Sequence, residues 1–187
     1  MENNRTSTGH ISTSYSESIS EIKSLTLEMA GLVEASYSNA LSGLIKAESE
    51  LSHNVATHDF LTNNYEIDID EKCHTLLALQ TPVASDLRTI IVVLRIITDL
   101  ERVGDEAEKI ARLSLKINYN NIDSGFLMTL QHLGQKTSAL LSKSIDAYAR
   151  KSVEQALDVI KNDKAIDLEY ESCMRQLISY IVKIEEN

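Results

Sequence analysis

Helix-breaking residues and large aromatic side chains are scarce in this sequence. Its 187 residues include one proline, six glycines and no tryptophan, and its aromatics are seven tyrosines and two phenylalanines. Tight turns favour proline and glycine, so a fold rich in hairpins is excluded. Hydrophobic residues make up 43% of the chain, enough for a core of leucine, isoleucine, valine and alanine. The composition predicts an all-α protein with long helices and short turns.

Three further absences restrict the function. The two cysteines, Cys73 and Cys173, lie in helical patterns and do not make a disulfide framework, so a cytoplasmic location is expected. No apolar run reaches the roughly 18 residues that cross a bilayer, so membrane association is expected only through partners. The formal net charge of -10 leaves no general basic face for nucleic acid.

Hydrophobic periodicity predicts five helices. Residues 1–15 are polar and rich in serine and threonine, and we expect them to be a flexible tail. Start signals occur at Thr81–Pro82, at Asp123 or Ser124, and at Ser152, where a capping box begins. The predicted helices cover about 16–46, 50–79, 82–117, 124–150 and 153–184.

A faint internal repeat relates the two halves of the chain. A shift of 104 residues pairs Leu41 with Ile145 and places the helix break near Glu48 on Ser152. The order helix, break, helix is therefore the same in both halves, which is better evidence than the few identities. The predicted domains are residues 16–118, with three helices, and residues 119–187, with two.

An acidic stripe occurs on the third predicted helix, within ITDLERVGDEAEKIAR (residues 97–112). Glu101, Asp105 and Glu108 share one helix side, where like charges destabilise an isolated helix by a few tenths of a kcal/mol per pair. A neighbouring sector stays apolar and is expected to pack in the bundle. A solvated acidic face is the ordinary interpretation. The functional interpretation is a site for a hard metal cation, which offsets the repulsion between carboxylates.

A second acidic pair with the same spacing, Glu66 and Asp70, lies on the preceding predicted helix. If the two helices are antiparallel, a rise of about 1.5 Å per residue brings Glu101 nearer to Asp59 than to Asp70. The candidate metal ligands are Glu101, Asp105, Glu66, Asp70 and Asp59.

Two alternative functions are compatible with these helices. The pairs Glu50/His53 and Glu71/His74 have the Glu-x-x-His spacing of di-iron carboxylate enzymes. Both pairs lie on one predicted helix about 30 Å apart, so they do not share one metal pair. A passive helical scaffold is the other alternative. No phosphate-binding loop or nucleophile–base arrangement is evident, and we expect a protein that is not an enzyme.

The run TPVASDLRTIIVVLRIITDLERVGDEAEKIAR (residues 81–112) resembles the signature region of the PhoU family of bacterial phosphate-signalling regulators. Other segments are similar to the family as well, namely MAGLVEASYSNAL (29–41), HDFLTNNYEIDIDEKC (58–73) and SIDAYARKSVEQALDVIKNDKAIDLEYESCMRQLISYI (144–181).

The resemblance implies two tandem three-helix-bundle repeats whose Glu/Asp-x-x-x-Asp motifs bind metal ions. Iron is one implied cation, and zinc, magnesium or manganese are others. By position, Glu101 and Asp105 match the motif of the third helix, and Glu66 and Asp70 match that of the second.

The resemblance also implies that the protein is a negative regulator of phosphate uptake and phosphate-regulon signalling. In this role it would act as a cytoplasmic adaptor between the phosphate ABC transporter and a sensor histidine kinase. Ala149 and Arg150 match an Ala-Arg pair that the family associates with signalling, which makes them the candidate partner-binding residues.

The sequence departs from the family pattern after the fifth predicted helix. Family members carry a sixth helix with a second acidic motif, and the second repeat here is expected to lack it. The last two predicted helices would then expose an apolar groove, which favours a homodimer. The groove is predicted at Leu133, Leu140, Leu157, Ile160 and Leu177.

Overall fold

The computed structural model describes residues 6–80, 82, 84–119 and 122–185, with only the backbone described for 6–14 and 183–185. These residues form six helices and no strand, which confirms the all-α class. The helices are α1 (Thr6–Lys46), α2 (Ser49–His58), α3 (Phe60–Leu79), α4 (Ala84–Ser114), α5 (Ser124–Arg150) and α6 (Val153–Glu185).

Two starts differ from the predicted ones. The first helix begins at Thr6, so residues 6–15 are helical rather than part of the expected tail. That segment contains no proline and a single glycine, and nothing in it stops a helix that continues from Ser16. The fourth helix begins at Ala84, which leaves Pro82 before the helix rather than in its first turn. Thr81, the predicted N-cap, lies outside the described residues.

The second predicted helix is two helices, α2 and α3, separated at Asp59. Asp59 keeps right-handed helical angles (φ -55°, ψ -34°), and its carbonyl accepts a hydrogen bond from Thr62 N at 2.9 Å. A bond between residues three apart is a 3₁₀-type turn, which changes the helix direction without a loop. Periodicity does not detect such a break because the chain stays helical on both sides.

The helix breaks aligned by the 104-residue shift have the same backbone conformation. Ala47 and Lys151 both have positive φ, 57° and 53°. In each break, the backbone N–H of the next residue donates a hydrogen bond to the carbonyl five residues earlier, as in the Schellman C-cap. The internal repeat is therefore visible in the hydrogen bonds as well. These bonds are Glu48 N to Gly43 O (3.1 Å) and Ser152 N to Ala147 O (2.9 Å).

The chain divides into two compact units that differ from the predicted domains. One contains the chain up to Val33 together with Thr57–Glu106, and the other contains Glu34–Ala56 together with the chain from Ala107 onward. The unit boundaries fall inside α1 and α4 rather than near residue 118. These helices have 41 and 31 residues, about 60 and 46 Å, so their two ends contact different neighbours.

The buried side of α4 follows alternating three- and four-residue steps, the pattern of helices packed side by side. Of the predicted apolar sector, Leu100 and Ala107 are buried, whereas Ile96, Val103 and Ile110 are half-buried. The buried positions are Ile90, Val93, Ile97, Leu100, Gly104, Ala107, Ala111 and Ser114.

Candidate functional site

Two contacts determine how α3 and α4 face each other in the first unit. Thr98 Oγ1 donates to Glu66 Oε1 at 3.4 Å. One and a half turns further along α4, a Cβ built on Gly104 would stand 3.1 Å from Thr62 Cγ2. Residue numbers rise on one helix as they fall on the other, so the pair is antiparallel. Because Gly104 has no side chain, the Thr62 side chain can approach the α4 backbone.

This register determines which acids of the two helices lie at similar heights. Thr98 opposite Glu66 and Gly104 opposite Thr62 place Glu101 about 3 Å in axial rise from Glu66. Asp105 lies at nearly the height of Asp59 by the same rise. Asp70 lies about 9 Å in axial rise from Glu101. Glu66 is nearer in height to Glu101 than Asp59 or Asp70 is. The sequence expectation that Asp59 lies nearer than Asp70 stays a prediction, because the two contacts give opposite answers.

The acids of the α4 stripe border the buried seam. Glu101, Asp105 and Glu108 are all half-buried rather than exposed. Arg112 neutralises the last of them, with Nε 2.7 Å and Nη2 2.5 Å from Glu108 Oε1. On the exposed side of the helix, Asp99 pairs with Arg102 at 3.8 Å. The stripe is therefore neither a fully solvated face nor an isolated row of charges.

The predicted ligands on α3 have protein partners of their own. Glu66 accepts the hydrogen bond from Thr98 described above. Asp70 Oδ2 lies 3.0 Å from His74 Nδ1, one turn further along the same helix. The Asp70–His74 pair is on the surface, so it is a local i, i+4 contact rather than part of the α3–α4 interface.

The arrangement does not present a complete metal-binding set. In the described part of the chain, no three side chains of Asp, Glu, His or Cys stand close enough together to hold a metal ion. Magnesium takes six oxygen ligands and structural zinc takes four ligands, whereas this register brings acids together in pairs. Metal binding by the predicted residues stays a prediction, and the di-iron alternative gains no supporting observation.

The candidate partner-binding pair lies at the C-terminal end of α5 in the second unit. Ala149 and Arg150 are both exposed. Arg150 is in the last turn of its helix, where a cation also complements the helix dipole. Beside this turn is a cavity of about 630 Å³ with charges of both signs, which the sequence did not reveal. Its lining includes Lys143, Asp146, Ser152, Glu154, Asp158 and Lys161.

Part of the predicted apolar groove is exposed on α6. Leu157 and Ile160 are 54% and 59% exposed. Leu133, Leu140 and Leu177 are half-buried, and α5 packs against α6. The exposed stripe continues toward the end of α6. Further exposed members are Val153, Leu168, Ile178, Ile181 and Val182.

Two hydroxyl residues at the α3–α4 contact were not identified from the sequence. Thr62 and Thr98 set the register that pairs the acids. Thr98 precedes Glu101 by three residues and so lies on the same side of the helix. This spacing could have identified Thr98 from the sequence as a neighbour of the acidic stripe. Nothing local distinguished Thr62, because its importance comes from facing Gly104.

No helix of the described residues is both long and apolar enough to cross a membrane. The fold and the site thus define a helical-bundle protein with a carboxylate-bearing pair of antiparallel helices. The chain belongs to the PhoU family, because the PhoU domain matches residues 26–114 and 130–187.

Two bacterial proteins illustrate this relationship. The chain is 37% identical to the phosphate-specific transport system accessory protein PhoU homolog of Pseudomonas putida, over 98% of this chain and 72% of the relative. It is 34% identical to the accessory protein PhoU of Escherichia coli strain K12, over 93% of this chain and 72% of that protein.

Two crystal structures share the fold. The structure of PhoU from Pseudomonas aeruginosa superimposes with a TM-score of 0.87 at 35% identity, over 90% of this chain and 81% of that one. The phosphate transport system regulatory protein PhoU from Streptococcus pneumoniae superimposes with a TM-score of 0.83 at 25% identity, over 90% and 79% of the two chains.

Proposed function

We propose that this protein is an accessory regulator of phosphate transport. It acts in the cytoplasm as a helical adaptor that restrains phosphate uptake and phosphate-regulon signalling. The observation that carries this proposal is the match of most of the chain to curated accessory proteins of the phosphate-specific transport system. The proposed partners are the phosphate ABC transporter and a sensor histidine kinase. The role requires surfaces for these partners and no catalytic step.

The test is complementation of a strain whose own gene is deleted. Deletion is expected to raise phosphate uptake and expression of a phosphate-regulon reporter in phosphate-rich medium, and the wild-type chain is expected to restore both to low values. The proposal fails if deletion changes neither quantity, or if the folded chain restores neither.

Arg150 is the proposed contact for signalling. The variant Arg150→Ala is expected to leave the reporter high while the protein remains folded, because the exposed guanidinium is removed without disturbing buried groups. The matched control is Lys164→Ala, an exposed cation of α6 in the same unit. Full complementation by the Arg150 variant would remove this residue from the proposed contact while leaving the regulatory role in place.

Metal binding is a separate proposal, which rests on the family resemblance and on the spacing of the carboxylates. The proposed ligands are Glu101, Asp105, Glu66, Asp70 and Asp59. The cations to be tested are iron, zinc, magnesium and manganese. The α3–α4 register favours Glu101 with Glu66 and Asp105 with Asp59 as the pairs that approach a common ion.

The metal proposal is tested by elemental analysis of protein dialysed against each cation. The double variant Glu101→Ala/Asp105→Ala is expected to lose the bound metal. The control Glu154→Ala/Asp158→Ala removes the same residue types at the same spacing from α6 and is expected to retain it. Unchanged metal content in the first variant would refute the site while leaving the regulatory proposal standing.

A further inference from the structure

The outer side of α4 in the first unit differs from the rest of this acidic protein. Residues 87–98 include two arginines and no acid, although the chain has a formal net charge of -10. Arg88 and Arg95 are exposed, and between them Ile91 and Val92 are 41% and 47% exposed. A helix side that presents both cations and apolar side chains has the composition of a contact surface rather than of an ordinary solvated face.

The arginines of this surface are regularly spaced. Arg88, Arg95 and Arg102 are seven residues apart, so successive positions lie about 10.5 Å apart along the axis and within about 20° of each other. All three are exposed. We call the surface formed by these three arginines with Ile91 and Val92 the arginine face.

The guanidinium groups are largely available to a partner. Arg95 makes no hydrogen bond or ion pair within the described residues. Arg88 uses Nε to donate to Ala84 O at 3.2 Å. Arg102 has a 3.8 Å contact with Asp99, and both of these side chains are about three-quarters exposed at 76% and 77%. A surface ion pair of this kind contributes little and exchanges readily for a better acceptor.

We propose that the arginine face docks an acidic amphipathic helix of a partner protein. Carboxylates repeating every seven residues on such a helix would meet the three arginines, and its apolar side chains would cover Ile91 and Val92. Arginine suits this contact because its planar group binds a carboxylate through two parallel hydrogen bonds. This surface uses none of the residues proposed for the carboxylate site or for signalling, and the proposal does not depend on the proposed role in phosphate uptake.

Charge excludes two other occupants of the arginine face. A second copy paired symmetrically through this face would set arginine against arginine. Binding to a flat anionic membrane would place Asp99 against negatively charged lipid headgroups. The whole protein, with a net charge of -10, would also be repelled by that surface. A narrow acidic helix meets Arg88 and Arg95 within the acid-free stretch 87–98, and at Arg102 its carboxylate replaces the 3.8 Å contact with Asp99.

The test measures binding of the full chain to a labelled synthetic helix of about three heptads, with a leucine stripe flanked by glutamates at seven-residue spacing. Fluorescence anisotropy is expected to show binding that weakens as salt rises. The same peptide with lysine in place of glutamate is expected not to bind. Anionic phosphatidylglycerol vesicles are expected not to compete.

Charge reversal locates the contact. The variant Arg95→Glu is expected to raise the Kd for the glutamate peptide about tenfold or more, and Arg95→Gln by less. The matched control Lys164→Glu makes the same charge change on an exposed residue of α6 and is expected to leave the Kd unchanged. Thermal unfolding confirms that each variant is folded.

Several results would overturn the proposal. These are absence of binding to the glutamate peptide, equal binding of the lysine peptide, and an unchanged Kd in the Arg95→Glu variant. Binding of the vesicles through Arg95, or loss of self-association in the Arg95→Glu variant by sedimentation, would assign the face to a membrane or to a second copy instead.

Discussion

Two glycines in α1 occupy opposite environments, and we expect opposite effects on stability from the same substitution. A Cβ added at Gly43 would overlap Ser52 Oγ and stand 3.1 Å from Ser52 N and 3.3 Å from Glu48 O. We expect Gly43→Ala to destabilise the fold by about 1–3 kcal/mol, because backbone atoms cannot move aside. Gly31 has nothing within 4 Å of such a Cβ, so Gly31→Ala is expected to stabilise the helix by about 0.5–1 kcal/mol.

Urea unfolding of the two variants measures both effects. If the free energy of unfolding changed equally and with the same sign in both variants, helix propensity alone would explain the change. That result would contradict the steric difference between Gly43 and Gly31. The repeat gives an independent reason for the difference. The residue aligned with Gly43 is Ala147, and the residue aligned with Ser52 is the smaller Ala156.

The thiol of Cys73 is fully buried on α3. Burial, with a further contribution from the Asp70 carboxylate, raises its pKa from 9.0 to about 11. The folded protein therefore holds the thiol in its protonated form while the unfolded chain ionises it near pH 9. This contribution to stability is complete below pH 9 and is lost as the pH rises from about 9 to about 11.

We expect iodoacetamide to alkylate Cys73 slowly at pH 8–9 in the folded Cys173→Ser variant and much faster in the same protein unfolded in urea, because only the thiolate reacts. Mass spectrometry follows the reaction. Equal rates in the folded and unfolded protein would show that the thiol is exposed or readily ionised, contrary to this structure.

At the scale of single helices, the N-caps of α5 and α6 were predicted correctly because they depend on neighbouring residues. Asp123 was one of two predicted N-caps of α5, and its Oδ1 accepts a hydrogen bond from Phe126 N at 2.9 Å. Ser152 Oγ accepts one from Gln155 N at 3.2 Å, which is half of the predicted capping box. Both contacts span three residues and therefore follow from the sequence alone.

We expect Asp123→Ala to lower the free energy of unfolding by about 1 kcal/mol, since the first turn of α5 would lose its capping acceptor. Asp123→Asn retains an acceptor oxygen and is expected to cost only a fraction of this. Chemical denaturation compares the two. If both variants lose the same stability, charge at the helix end rather than the hydrogen bond is responsible.

The acidic stripe shows the limit of reasoning from one helix. Periodicity placed Glu101 and Asp105 beside the buried side of α4, and both are half-buried. Their neighbours across the interface depend on Thr62 meeting Gly104 and on Thr98 meeting Glu66, which no pattern within α4 encodes. The break at Asp59 was missed for a related reason, because both of its sides have ordinary helical sequences.

At the scale of the whole molecule, the exposed apolar stripe of α6 predicts self-association, the basis for proposing a homodimer. Leu157 and Ile160 are more than half exposed, and burying such side chains is favourable. We expect sedimentation velocity to show a larger species as concentration rises, and Leu157→Lys/Ile160→Lys to shift the protein toward monomer.

The control for this prediction is Ile67→Lys/Leu79→Lys, which adds the same two charges at apolar residues of α3 that are 57% and 78% exposed. It is expected to leave the association unchanged. A monomer at all concentrations, or equal loss of association in the control, would contradict a specific role for α6. Unfolding free energies within about 0.5 kcal/mol of wild type would confirm that the variants act on association rather than on folding.

The sequence by itself determined the helical class, most helix ends, the internal repeat and the family, because these depend on residues within a few turns of one another or on the order of residues along the chain. The tertiary structure alone decided which acids of α3 face α4, and how residues of α1 and α4 divide between the two units. Those features depend on the register between segments far apart in sequence, which is set by side-chain packing of small and polar residues such as Gly104 and Thr62.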